Sequence, residues 1–94
     1  MAGLNTPHYA FPPASAYALN DCLFRLKSDP AFRARYVANA AAALDEVGVA
    51  ESMRGALRDF DRDRLLALGA HAYLVFMADL RLRMDATPGA FEEF

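Results

Sequence analysis

Between residues 15 and 89 the sequence interrupts itself repeatedly: at Ser28-Asp29-Pro30, at Asn39, at Gly48, at Gly69 and at Thr87-Pro88-Gly89. Each of these stops one helix or starts the next. Asp29 is a good N-cap, and Pro30 suits the first helical turn, where its missing N–H has no intrahelical partner to lose. Gly48 and Gly69 accept the left-handed backbone that ends a helix. The chain is therefore limited to short helices joined by short connections. No stretch shows the strict alternation of a strand, and threonine, isoleucine and valine are scarce.

The apolar spacing fills these intervals. A first helix runs from Ser15 or Ala16 to Lys27, with Leu19, Cys22, Leu23 and Leu26 on one stripe. A second runs from Pro30 to Ala38, with Phe32, Tyr36 and Val37 inward. Asn39 caps a third over Ala40–Val47, carrying Leu44 and Val47. A fourth covers Glu51–Asp59, with Met53, Leu57 and Phe60 at i, i+4, i+7. A fifth covers Asp61–Leu68, and a last one Ala70–Arg83. The expected fold is all-α: a compact orthogonal bundle of five or six short helices over residues 15–84. An extended Pro-rich arm (residues 1–14) precedes it, carrying Pro7, Pro12 and Pro13, and a tail (residues 85–94) follows.

Ninety-four residues, 55% of them hydrophobic, fit one small domain whose own core is marginal, so a partner surface is expected from the start. A net charge of −2 offers no long-range attraction to nucleic acid or to an anionic membrane. Arg33 and Arg35 read as a solvated pair, and no basic recognition helix is present. No apolar run approaches the length of a membrane span, and the first residues lack the pattern of a signal peptide. Cys22 is the only cysteine, which excludes an internal disulfide and fits a reducing cytoplasm. Nine of the ten basic residues are arginine, which together with abundant alanine reads as the base composition of a GC-rich bacterial genome.

Few residues point to chemistry. His8 and His71 are the only histidines and have no ligand spacing between them, so no metal site is expected from this chain alone. Cys22 lies on an apolar stripe and reads as a buried small hydrophobe. The alternating run Arg58-Asp59-Phe60-Asp61-Arg62-Asp63-Arg64 reads as a solvated helix junction with local ion pairs and caps. The glycines are too scattered to cradle a phosphate. The informative segment is the last helix. From Ala70 to Ala78 only His71 is strongly polar. A helix apolar on all sides must be covered on all sides: either it is central to the bundle, or one face meets a second chain.

Several residues in order then match a family. Tyr17-x-Leu19-Asn20, Phe32-Arg33 with Tyr36, Leu44-Asp45-Glu46, Ala56-Leu57-Arg58-Asp59 and Gly69-Ala70-x-x-Tyr73-Leu74 resemble the LigA family, the small subunits of protocatechuate 4,5-dioxygenases. The resemblance spans about residues 16–82. It implies a small helical chain that is not catalytic alone. It also implies a large catalytic (beta) subunit holding Fe(II) through two histidines and a carboxylate, which opens a catechol-type ring with O₂. The small subunit would cap that active site, binding no cofactor itself. Gly69, His71, Tyr73 and Phe76 are then expected near the partner or its substrate mouth, Tyr73 supplying area with a polar tip. Core packing of Tyr73 and Phe76, and a plain helix-start role for His71, are the competing readings. Ala70 stands where the family often has a second glycine. Ala50 replaces a hydroxyl cap before the fourth helix, forfeiting about 1 kcal/mol. The alternative function is a stand-alone helical protein of the same fold, acting as a homo-oligomeric interaction or small-ligand-binding module.

Overall fold

The computed structural model describes residues 16–87, and these form six helices: α1 (Ala16–Ser28), α2 (Pro30–Ala38), α3 (Ala40–Val47), α4 (Glu51–Asp59), α5 (Arg62–Ala67) and α6 (Ala72–Ala86). There is no strand among the described residues. The arm and most of the tail lie outside them, so the expectations for residues 1–14 and 88–94 do too.

The punctuation works as its chemistry requires. Asp29 Oδ1 accepts from the N–H groups of Ala31 (3.0 Å) and Phe32 (3.2 Å), with Pro30 opening α2. Asn39 Oδ1 accepts from Ala42 N–H at 3.2 Å, and Asp61 Oδ1 from Arg64 N–H at 3.2 Å. Ala50 gives α4 no side-chain cap. Three helix ends share one wiring, in which a left-handed residue lets the next N–H reach a carbonyl five residues back. Gly48 (φ +84) brings Val49 N–H to Leu44 O at 3.0 Å. Gly69 (φ +103) brings Ala70 N–H to Leu65 O at 2.9 Å. At the third end the left-handed residue is Phe60 (φ 46), with Asp61 N–H on Ala56 O at 3.0 Å.

α1 is the axis of the domain. Leu19, Cys22, Leu23 and Leu26 are fully buried along it. Its three leucines contribute roughly 5–8 kcal/mol of gross burial, several times any single cap. α1 packs chiefly along α6, then against α2 and α3, while α4 pairs with α5, which leads into α6. Phe32, Leu44, Leu57, Leu65, Val75 and Ala78 complete the core from the other helices.

Four local expectations are corrected. Val37 is 70% exposed, not inward, because Phe32 and Tyr36 already turn that stripe of α2 to the core. Phe60 is not the third apolar residue of α4 but its left-handed terminus. α6 starts at Ala72, since His71 keeps an extended backbone, and it continues past Arg83 to Ala86. Arg33 is not solvated but 7% exposed. Its Nη1 donates to the carbonyls of Leu26 (3.0 Å) and Lys27 (3.3 Å) at the end of α1, and its Nε to Asp85 Oδ2 at 2.7 Å. These partners satisfy the guanidinium, so its burial is tolerated.

Candidate functional site

Helix α6 divides into two apolar faces. Val75, Ala78 and Leu82, at i, i+3, i+7, turn to the core. Tyr73, Phe76, Met77, Leu80 and Met84, at i, i+3, i+4, i+7, i+11, lie on the opposite side. Tyr73 is 55% and Phe76 60% exposed, while Met77, Leu80 and Met84 are half-buried. Charges flank this outer stripe, with the Asp79–Arg83 pair (3.0 Å) on one side and Arg81 on the other. The central-helix alternative is therefore not the one realised: α1 and α5 cover only one face. Core packing for Tyr73 and Phe76 is overturned as well, because neither ring points into the core.

Exposed apolar side chains also stand on α1, which packs along α6. Tyr17 and Phe24 are seven residues apart on its outer side and are 75% and 51% exposed. Lys27 Nζ joins the two helices, lying 5.2 Å from the Phe24 ring centroid and 6.0 Å from that of Tyr73. Among the described residues, four of the five large exposed hydrophobic residues thus lie on α1 and α6, the fifth being Val37. A clustering of this kind marks an interaction surface, whereas scattered exposed hydrophobics do not.

Gly69 and His71 form the corner at the head of α6, and α1 fastens it. Asn20 Nδ2 donates to Gly69 O at 3.1 Å and to Ala16 O at 3.1 Å, while Asn20 Oδ1 accepts from His71 N–H at 2.7 Å. The first free N–H of α6 is thereby satisfied by a side chain from α1 and not by His71 itself, whose own side chain makes no cap bond. Gly69 contributes its positive φ, and the His71 side chain is left exposed. Sequence reasoning missed Asn20 as a structural clamp. It sits one helical step off the apolar stripe, and a polar residue there carries no sign of a partner 51 positions away.

No group of three or more His, Cys, Asp or Glu side chains is placed to hold a metal ion among the described residues. The described acids, Asp63 apart, are dispersed in ion pairs and caps, and His71 has no neighbouring ligand group among them. Among the described residues no set of side chains fits an Fe(II) ligand set. Cys22 is buried, and that burial, with the Asp21 charge second, pushes its thiol up to about 12; Arg25 opposes the shift more weakly. A thiol held protonated is no nucleophile. No helix of the described residues is long and apolar enough to cross a membrane.

Comparison with known proteins identifies the family. The model of the LigA family, described as the LigA subunit of the aromatic-ring-opening dioxygenase LigAB, matches residues 19–90. The chain belongs to the LigA family. No curated protein and no solved structure matches it significantly. The LigA match takes in α2 to α6 whole and nearly all of α1, so it includes the Asn20 clamp, the Gly69 corner and the outer stripe of α6. That family is described as a subunit of an aromatic-ring-opening dioxygenase.

Proposed function

We propose that this chain is the non-catalytic small subunit of an extradiol aromatic-ring-opening dioxygenase, and that it caps the active site of an Fe(II)-bearing large subunit. The observation that carries the proposal is the exposure of Tyr17 and Phe24 on α1 and of Tyr73 and Phe76 on the α6 packed against it, in a LigA-family chain. Iron belongs to the large subunit in this reading, which is consistent with the described residues assembling no ligand set. The chain's own contribution is physical. Its rings cover part of the partner's mouth, exclude water and hold substrate in place without supplying a reacting group. Gly69, His71, Tyr73 and Phe76 are the contacts nearest that mouth. The Asn20 clamp supports the reading, since it fixes the corner that would meet the partner.

The test is co-expression with a large dioxygenase subunit from the same genome, followed by size-exclusion chromatography and an Fe(II)-dependent ring-cleavage assay. A stable heteromer whose turnover exceeds that of the large subunit alone is expected. A large subunit that is fully active and never associates with this chain would falsify the proposal. A discrete homodimer that ignores the large subunit would instead support the stand-alone reading.

A further inference from the structure

Beside the outer stripe of α6 lies a groove of about 500 Å³, bounded by the end of α1, the start of α2 and the middle of α6. Tyr73 and Met77 form its apolar wall, and Lys27, Arg33 and Arg81 bring three positive charges to it; no carboxylate lines it. This differs from the rest of the surface, where arginine is generally neutralised. Among the described residues only Lys27, Arg58, Arg62 and Arg81 lie beyond ion-pair distance of any described carboxylate. Two of those four border this one groove. Arg33 is paired, but through Nε to Asp85, which lines a second groove and not this one.

We infer that this groove receives a carboxylate side chain of the large subunit, carried on a segment whose flanking residues are apolar. The inference rests on the proposed subunit role and adds the chemistry of the partner's contact. It follows from what assembly does to Lys27. Its ammonium sits against the rings of Phe24 and Tyr73, with only the Ser28 hydroxyl (3.3 Å) as a hydrogen-bond partner. A chain that covers those rings takes water from the ammonium and from Arg81. Burying two unneutralised cations opposes association; neutral acceptors can satisfy their N–H groups, but an anion of the covering chain also neutralises the charge and removes most of that penalty. A carboxylate there reaches Lys27 on one side and Arg81 on the other, while its neighbours lie on Tyr73, Met77 and Phe76. The arrangement also rejects a wrong partner, since a basic or neutral segment leaves the cations buried and unneutralised.

Lys27 is the only lysine of the chain, which makes the test direct. Amine acetylation, read by peptide mass spectrometry to separate it from the N-terminal amine, is compared between the isolated chain and its complex with the large subunit. Assembly is expected to slow Lys27 acetylation at least about tenfold. Carbodiimide treatment of the complex is expected to join Lys27 by an amide to an Asp or Glu of the large subunit. Arg81→Ala is expected to weaken the complex about tenfold and to flatten its salt dependence. Arg62→Ala, which removes another unpaired arginine away from the groove, is expected to leave both unchanged, with equal helix content by circular dichroism for the two variants. A stable complex in which Lys27 acetylates at the free-chain rate and Arg81→Ala binds normally overturns the inference and leaves the subunit role standing. A Lys27 amide to Glu92 or Glu93 of the same chain that persists in the complex overturns it as well. Failure to form any complex overturns both.

Discussion

Arg33 on α2 and Asp85 in the last turn of α6 meet at 2.7 Å across 52 residues, and the two ends of this contact are unequal. The arginine is buried and also holds two carbonyls at the end of α1, whereas the aspartate is about half exposed. Removing the arginine strands acceptors that water reaches poorly. Removing the aspartate leaves a site that water can partly refill. Arg33→Ala is expected to lower stability by about 2–3 kcal/mol and Asp85→Ala by about 1 kcal/mol. Urea denaturation of the two variants checks the order. Equal losses would mean that the carbonyl contacts contribute nothing.

The Asn20 clamp predicts a residue-specific signature. Asn20→Ala deprives His71 N–H of its acceptor and Gly69 O of its donor, at a cost of about 2 kcal/mol. Asn20→Asp keeps an acceptor for His71 N–H but places a carboxylate against Gly69 O. Hydrogen exchange at the His71 amide should therefore accelerate in the alanine variant and stay slow in the aspartate variant. Fast exchange in the wild-type protein would contradict the 2.7 Å contact.

Tyr73 and Phe76 should separate folding from binding. Because both rings already face water, Tyr73→Ser and Phe76→Ser are each expected to change stability by less than about 0.5 kcal/mol. In the proposed complex each is expected to weaken association by about 2 kcal/mol, roughly thirtyfold. Thermal melts of the isolated variants and titration with the large subunit give the two numbers. A large drop in melting temperature would return these rings to the core.

Alkaline stability follows from two buried acids. Burial raises the Cys22 thiol from 9.0 to about 12 and the Tyr36 hydroxyl from 10.0 to about 12. The folded chain keeps both protons where the unfolded chain releases them. The resulting stability is complete below about pH 9 and is lost as pH climbs toward 12, by up to about 1.4 kcal/mol per pH unit for each group. In Cys22→Ala the onset of that loss should move from near pH 9 to near pH 10, where Tyr36 takes over. Urea midpoints measured between pH 8 and 11 would show it. An unchanged onset would mean that the thiol ionises in the fold.

Much of this architecture was legible because local chemistry decides it. Asp29-Pro30 and Gly48 act within a few residues of themselves, and the stripe Leu19, Cys22, Leu23, Leu26 has one orientation that hides it. What was not legible depends on distant partners. Phe60 takes a left-handed backbone that its side chain disfavours by about 1 kcal/mol, and nothing in its own identity announces that the chain must turn there. Val37 shares the period of Phe32 and Tyr36 only loosely, and the core beneath α2 is filled without it. Arg33 looked like its neighbour Arg35, yet one meets Asp85 in the last turn of α6 and the other Glu46 on the surface. The family could be read from ordered matches, whereas the face could not. Spacing marked α6 as apolar on every side, but only the position of α1 determines which side stays open.

The second apolar face of α6 has a consequence for supply. A copy of this polypeptide made in excess of whatever shields Tyr73 and Phe76 displays a sticky ridge to every other molecule in the cell, inviting clumping and degradation. Balanced production of this chain and the proposed large subunit is the expectation that one helix carries, and an orphaned copy is expected to be short-lived.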